Sequence, residues 1–274
     1  MRSRTKRKNC KIPPRPDQVG VNATGRWGTP ILPARRVRAT RPQGYVFADL
    51  SERALREEMQ GPFAYRDVVD SRGRAMYLVF DTETTGKPDS YDAPVSNVDN
   101  WPRVVQLAWG AFDKRGRKTG AASYVIRPDG FEIPKEAERI HGISTRVAKR
   151  TGVLIADVLE EFVDALSESS VLVAHNFRFD ASVLSAELYR FGIKHPFRHQ
   201  THVCTMEDAT EHCALPRKYG GKFKWPKISE LHLELFGKKV KETHDAAADV
   251  ATCARCFFEL KRLGVVRVTR RARR

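Results

Sequence analysis

The chain has 274 residues, of which 41% are hydrophobic, and it carries a formal net charge of +16 at pH 7. No apolar run approaches the roughly 20 residues of a membrane-spanning helix, and no signal-peptide core follows the basic start, so the sequence predicts an intracellular, cytoplasmic protein that does not enter a membrane. The five cysteines are an odd number without an even framework, which indicates reduced thiols.

The positive charge is concentrated at the two ends of the chain. Residues 1–44 contain 12 Lys plus Arg and a single acid, and residues 265–274 contain five Arg and no acid, while the remaining 32 basic and 32 acidic residues cancel. Both tails are therefore candidates for binding the phosphates of a nucleic acid without reading its sequence. A solubilising extension, or a nuclear or organellar targeting extension, is the alternative.

The chain divides into four parts by composition. Residues 1–44 are poor in apolar side chains and contain six prolines, so we expect a disordered tail. Residues 45–75 predict an extension with one short helix that ends near Met59. Residues 76–264 are long enough to bury a single core and form the predicted domain, and residues 265–274 form the Arg-rich tail.

The pattern of residues 76–264 is typical of an α/β fold with a mixed five-stranded sheet and helices on both faces. The predicted strands lie near 76–82, 103–112, 120–127, 170–174 and 202–205. The predicted helices lie near 156–168, 178–191, 207–213, 228–236 and 244–263.

Two acids close the first predicted strand. Asp81 and Glu83 follow the apolar run Tyr77-Leu78-Val79-Phe80, and residues two apart on a strand share a face. Neighbouring carboxylates at the end of a buried strand repel each other, and a divalent cation such as Mg²⁺ or Mn²⁺ neutralises them.

Further acids follow later elements. Asp180 comes after the apolar strand at 170–174, in the predicted first turn of a helix. His244 and Asp249 flank the start of the last helix, with Thr243 as the predicted cap. A spacing of five residues places two side chains about 140° apart on an ideal helix, so both reach one site only if His244 lies on the incoming loop or in a frayed first turn.

Each of these three patterns alone has an ordinary structural reading, as a solvated strand end, a helix start or a satisfied histidine. Together they supply four carboxylates and one imidazole, which is the set needed to hold two cations and a general base around one phosphate.

Two further segments and the cysteines allow a functional or a structural interpretation. The polar loop 87–102 either shapes a substrate entrance or is a surface insertion. The 217–227 segment mixes cations with aromatic side chains, as single-strand binding grooves do, and apolar packing under a solvated loop explains it equally well. Cys253 and Cys256 are interpreted as small buried residues rather than zinc ligands.

The quoted motifs resemble the DEDDh branch of the DnaQ-like 3′-to-5′ exonucleases, within the ribonuclease H-like superfamily. The resemblance covers about residues 76 to 264, and the matching stretches are Phe80-Asp81-Thr82-Glu83-Thr84-Thr85-Gly86, His175-Asn176-Phe177-Arg178-Phe179-Asp180, His244-Asp245-Ala246-Ala247-Ala248-Asp249 and Ile140-His141-Gly142-Ile143-Ser144.

The resemblance implies a role for each matched residue. Asp81, Glu83, Asp180 and Asp249 would hold two Mg²⁺ or Mn²⁺ ions, and His244 would be the general base. The implied substrate contacts are Thr84, Thr85, Gly86, Asn176 and His141. The implied reaction releases nucleoside 5′-monophosphates from single-stranded 3′ ends, with DNA favoured over RNA. Two rival readings stay open: the same chemistry on RNA, and a non-catalytic nucleic-acid binding module.

Overall fold

The computed structural model describes residues 77–268, except 195, 196, 198, 199 and 219. The tail predicted at 1–44, the extension predicted at 45–75 and all but the first four residues of the C-terminal tail lie outside the described residues. Among the described residues, no helix combines the length and the apolar character needed to cross a lipid bilayer.

Five strands form one mixed sheet, which confirms the predicted fold class. They are β1 (Tyr77–Thr84), β2 (Val104–Phe112), β3 (Lys118–Val125), β4 (Val171–Ala174) and β5 (Thr201–Cys204). The strand order is β3-β2-β1-β4-β5. β1 pairs antiparallel with β2 and parallel with β4, so it is the central strand and marks the change from antiparallel to parallel pairing.

Eight α-helices occur in the described part of the chain, and a short 3-10 helix lies at Val98–Asn100. They are α1 (Lys135–His141), α2 (Thr145–Thr151), α3 (Ile155–Ser167), α4 (Phe177–Arg190), α5 (Thr205–Asp208), α6 (Thr210–Cys213), α7 (Ile228–Phe236) and α8 (Ala246–Arg262).

Three sequence predictions about helices need correction. Helices α1 and α2 were not predicted, because each has only seven residues and little apolar periodicity. The helix predicted at 207–213 is two four-residue helices. The last helix begins at Ala246 rather than at residue 244, and its cap is Asp245 rather than Thr243.

Side chains of β1 alternate between two separate cores, one on each face of the sheet. Leu78 and Phe80 face α3 and α4, where the Phe80 ring contacts the ring of Phe162 at a centroid distance of 5.6 Å. Tyr77 and Val79 face α8, where the Tyr77 ring lies 5.1 Å from that of Phe257. Burial on both faces fixes the direction of β1, and therefore fixes where its last residues emerge from the sheet.

A smaller third core holds α1 and α2 against β2. Val105 of β2 packs with Ile133, Ala137 and Ala148. Helix α1 ends at Gly142, which has the left-handed φ of 77°. Glycine adopts this conformation without a steric clash, because it has no side chain. Gly142 therefore fixes the end of α1 and with it the position of His141.

Candidate active site

The site is built where β1 extends past its parallel neighbour. β4 pairs with β1 only along Tyr77–Val79, so Asp81, Thr82 and Glu83 have no strand partner on that side. On the other side they remain paired with β2, with Asp81 opposite Ala108 and Glu83 opposite Gln106. Asp81 and Glu83 therefore share the face that α8 covers, while Thr82 points toward the opposite face.

The Asp180 carboxylate, rather than a β4 carbonyl, accepts the hydrogen bond of the Thr82 N–H beyond the end of the β1–β4 pairing. Its Oδ1 accepts hydrogen bonds from the backbone N–H of Thr82 at 3.0 Å and from the Thr82 hydroxyl at 2.7 Å. The Asp180 side chain is 3% exposed and lies in the first turn of α4, as predicted. The bond to Thr82 satisfies a strand N–H that would otherwise be unpaired, and it fixes the orientation of the carboxylate.

His244 and Asp249 reach the site from the start of α8. Asp245 caps this helix by accepting hydrogen bonds from the N–H groups of Ala247 at 3.0 Å and Ala248 at 3.1 Å. His244 therefore lies on the incoming loop, with a left-handed φ of 48°. This conformation is uncommon for a residue with a side chain, and such strain is concentrated at functional sites.

Glu83, His244 and Asp249 form the tightest part of the cluster. One ligand atom from each lies within 4.8 Å of the other two, and among the described residues no other group of three or more His, Cys, Asp or Glu side chains meets this condition. Asp81 and Asp180 adjoin this group and repel its carboxylates. All five predicted residues thus lie at one end of β1, although only three of them are in closest contact.

The four carboxyl groups resist ionisation. Burial and then mutual repulsion raise the pKa of Glu83 to about 8, and burial raises that of Asp180 to about 7 against the lowering effect of its hydrogen bonds to Thr82. The pKa of Asp249 rises to about 6, mainly through burial, and that of Asp81 is well above its ordinary value for the same reason. Positive charge at this position would relieve every one of these repulsions.

This donor set fits hard divalent cations. Mg²⁺ and Mn²⁺ are bound by carboxylate oxygens, and several carboxylates forced together in a buried cleft lose their repulsion when such an ion binds. Glu83 and Asp249, with Asp81 and Asp180 beside them, would supply these oxygens. The His244 imidazole is the most exposed member of the group and lies beside Glu83 and Asp249.

Residues 78–257 match the sequence profile of RNase T, a family described as exonuclease. The match spans more than half of the chain and contains all five residues gathered at the end of β1. The chain belongs to this exonuclease family.

The chain is similar to three curated proteins that differ widely in total length. The 3′-5′ exonuclease DinG of Bacillus subtilis (strain 168) is 27% identical over 185 residues, which cover 67% of this chain and 17% of DinG. The PolC-type DNA polymerase III of Streptococcus suis (strain 98HAH33) is 28% identical over 197 residues, which cover 72% of this chain and 12% of the polymerase. DNA polymerase III subunit epsilon of Treponema pallidum (strain Nichols) is 28% identical over 181 residues, which cover 66% of this chain and 74% of the subunit. The chain therefore spans less than a fifth of the length of DinG and of the PolC-type polymerase.

Solved structures of E. coli exonuclease I share the fold. A complex with single-stranded DNA superposes with a TM-score of 0.53 at 20% identity, and the match covers 69% of this chain and 41% of that protein. A complex with a dA16 oligonucleotide gives a TM-score of 0.54 at 19% identity, covering 68% of this chain and 40% of that protein. At this level of identity the likeness establishes a common architecture.

Of the predicted substrate contacts, Thr84 to Gly86 directly follow Glu83, and His141 lies near His244. Thr85 is fixed by two bonds to Arg103, because its N–H donates to the Arg103 carbonyl and its hydroxyl accepts from the Arg103 N–H, both at 2.9 Å. The Thr84 hydroxyl donates to the Gly86 carbonyl at 2.7 Å. The turn is therefore rigid. Asn176 caps α4 in a left-handed conformation, and its side chain makes no capping bond.

The His141 imidazole lies beside the turn that follows Glu83. Burial lowers its pKa, and a hydrogen bond with the Thr84 backbone and the nearby Glu138 act in the opposite direction. Its Nδ1 accepts from the N–H of Ile143 at 3.1 Å, so the neutral ring carries its proton on Nε2. That Nε2 is buried, and among the described residues it makes no hydrogen bond of good geometry, so its contact with the Thr84 backbone is a weak one. This supports the assignment of His141 to substrate binding, which stays a prediction.

Sequence reasoning missed three residues that organise the site. Gln106 lies on β2 opposite Glu83, and its side-chain oxygen accepts from the N–H of Ala246, which ties the start of α8 to the sheet. Asp245 caps that helix, and Thr82 holds Asp180. A polar residue inside the otherwise apolar run of β2 was the available signal for Gln106.

The 87–102 loop is fastened to α4, the helix that carries Asp180. Arg178 donates to the Tyr91 carbonyl at 2.8 Å and to Asp92 at 2.7 Å. Near the other end of the helix, Arg190 donates to the Trp101 carbonyl at 2.8 Å. These bonds hold the loop against α4, and a role of the loop in shaping a substrate entrance stays a prediction.

The four cysteines in the described part of the chain are free and buried, as expected for small packed residues. Burial raises the pKa of each thiol, which keeps it protonated and unreactive.

Proposed function

We propose that the chain is a metal-dependent 3′-to-5′ exonuclease that hydrolyses DNA from single-stranded 3′ ends and releases nucleoside 5′-monophosphates. The observation that carries this proposal is the gathering of Asp81, Glu83, Asp180, Asp249 and His244 at the end of β1, in a chain of the exonuclease family.

The side chains have complementary roles in this reaction. Asp81, Glu83, Asp180 and Asp249 would hold two Mg²⁺ or Mn²⁺ ions. Such ions, when bound, lower the pKa of water and neutralise charge on the reacting phosphate. His244 would accept the proton of the attacking water, because its imidazole is exposed to solvent beside Glu83 and Asp249 and an imidazole nitrogen can accept a proton.

The turn at Thr84 to Gly86 and the His141 imidazole beside it would position the terminal nucleotide. Their rigidity favours this role, since a reacting phosphate must be held within a small distance of the attacking water. Asn176 lies at the start of α4, where its side chain makes no capping hydrogen bond, and we assign it to the same group of contacts.

DNA is the preferred substrate in this proposal. The support is the resemblance to DinG, named as a 3′-5′ exonuclease, and to two proteins named as DNA polymerase III or its epsilon subunit. RNA is the alternative, because discrimination depends on contacts to the 2′-hydroxyl.

The test uses the full chain with 5′-labelled single- and double-stranded DNA and RNA, with Mg²⁺ or Mn²⁺ and with a chelator. We expect products that shorten stepwise from the 3′ end of single-stranded DNA, only with a divalent ion. Asp81→Ala should abolish this shortening, and Glu160→Gln, at an exposed position on α3, should not change it.

Each departure from this pattern has a distinct meaning. Faster shortening of RNA than of DNA would transfer the proposal to the RNA alternative. Binding of oligonucleotides without cleavage in either metal would instead identify a non-catalytic binding module. Cleavage that survives in Asp81→Ala would show that the cluster is not the active site.

A further inference from the structure

We propose that the exposed indole of Trp225 is a stacking platform for a base of the single strand close to its 3′ end. The inference rests on the proposed function, because it names a substrate contact beside the same site. The single-stranded nucleic acid would then contact a second region of the protein, outside the three acidic motifs.

Trp225 is exposed although its backbone is held on both sides. Its side chain is 63% exposed, whereas Trp101 and Trp109 are 3% and 5% exposed. The N–H of the preceding Lys224 donates to the Leu215 carbonyl at 3.0 Å, and the following Pro226 is buried. A tryptophan side chain has only two torsions to order, so an exposed indole on a held backbone loses little conformational entropy when a base stacks on it.

A partly buried chain of hydrogen bonds connects this position to the second acidic motif. His175 Nε2 lies 3.0 Å from the Pro226 carbonyl, and His175 Nδ1 lies 3.0 Å from the Thr205 hydroxyl. The carbonyl can only accept, so the proton is on Nε2 and the Thr205 hydroxyl donates to Nδ1. Burial lowers the pKa of His175 to about 4, so this neutral arrangement persists at neutral pH.

His175 directly precedes Asn176 and the helix that carries Asp180. Pro226 is therefore hydrogen-bonded to the residue that precedes Asn176 and α4, and Trp225 is its neighbour in the chain. A second connection reaches the loop that carries His244, because Ser229 Oγ and Lys227 Nζ both donate to Glu242.

The charge around Trp225 suits a polyanion. Residues 216–229 contain five Lys or Arg and no acid. Lys222, Lys224 and Lys227 have acidic neighbours from other segments, with Lys222 to Glu211 at 3.7 Å and Lys227 to Glu242 at 3.4 Å. These lysines are at least two-fifths exposed, so they stay accessible to phosphates while the ring faces a base. Cations beside an exposed aromatic ring favour a nucleic-acid strand over an apolar protein surface.

The experiment measures binding of a fluorescently labelled single-stranded DNA oligonucleotide by anisotropy, in a chelator so that no strand is cut. We expect Trp225→Ala to weaken binding about fivefold or more, since stacking on one base is worth roughly 1–3 kcal/mol. Trp225→Phe should keep most of the affinity. Tyr189→Ala is the matched control, because Tyr189 is 57% exposed near the far end of α4, and it should bind as the unchanged chain does.

A series of oligonucleotides with one abasic position tests whether the ring contacts a base. At one position near the 3′ end, removal of the base should weaken binding to the unchanged chain and have no further effect on Trp225→Ala. An equal effect of Trp225→Ala on every member of the series would overturn the proposal, and so would unchanged affinity in Trp225→Ala or failure of the unchanged chain to bind any oligonucleotide.

The outcomes separate this inference from the proposed function. A chain that shortens DNA but is insensitive to Trp225→Ala, in binding and in turnover, refutes the stacking contact alone. A chain that cuts nothing but shows the base-specific loss in Trp225→Ala refutes the nuclease and keeps the stacking contact.

Discussion

Replacing Glu83 by glutamine should stabilise the metal-free protein at alkaline pH. Burial and the neighbouring carboxylates raise the pKa of Glu83 from 4.5 to about 8. Because the folded state holds this proton more tightly than the unfolded state, the contribution to stability is fully present below pH 4.5 and is lost as the pH rises to about 8. The unchanged chain in a chelator should therefore become less stable across this window.

The magnitude follows from the size of the shift. One pKa unit corresponds to about 1.4 kcal/mol, so complete ionisation of Glu83 weakens the fold by about 5 kcal/mol. Glutamine cannot ionise. The other three carboxylates still repel one another in Glu83→Gln, so the substitution removes only part of this destabilisation. We expect Glu83→Gln to raise the free energy of unfolding by about 2–4 kcal/mol at pH 8 and to leave it unchanged at pH 4. For a protein of this size that gain is a rise in Tm of roughly 5–15 °C.

The assay is thermal unfolding followed by circular dichroism from pH 4 to pH 8, with a chelator and with Mg²⁺ or Mn²⁺. An ion that binds only the folded state should stabilise the unchanged chain and stabilise Glu83→Gln much less. Glu160→Gln is the control for loss of a charge at an exposed position. Equal stability of the unchanged chain at pH 4.5 and pH 8 in chelator, or a loss of stability in Glu83→Gln at pH 8, would refute the argument from carboxylate repulsion.

Three further substitutions have defined outcomes. His244→Ala should lower the single-turnover rate roughly 100-fold to 10,000-fold with little change in strand affinity, and a change confined to affinity would exclude the base role. Glu187→Gln should lower the free energy of unfolding in urea by about 3 kcal/mol, because the buried carboxylate accepts from Arg103 at 2.9 Å and from the Val104 N–H at 3.1 Å. Asp245→Ala removes the cap of α8, so it should cost about 1 kcal/mol in the same assay and slow turnover, whereas full stability would contradict the assigned cap.

The sequence predicted the sheet and the position of the acids because both follow from strand geometry. At Asp81 and Glu83, an apolar run ends in two acids separated by one residue. This pattern is typical of a buried strand with a polar end. The sequence also predicted that a helix begins just before Asp180, because apolar residues recur at helical spacing from there onward.

What the sequence did not predict depends on contacts between distant segments. The bond from Thr82 to Asp180 joins residues 98 positions apart, and that from Ala246 to Gln106 joins residues 140 apart. Thr243 and Asp245 are both residue types that cap helices, so the sequence allowed either of them to cap α8. The backbone conformation of His244, which lies between them, excludes Thr243. Helices α1 and α2 are too short for periodicity, although Gly142 and Ser144 mark the boundary between them.

The attachment of the 87–102 loop to both ends of α4 has a mechanical consequence. Because Arg178 and Arg190 link the loop to the helix that carries Asp180, a displacement of α4 would also displace the loop at Tyr91 and Trp101.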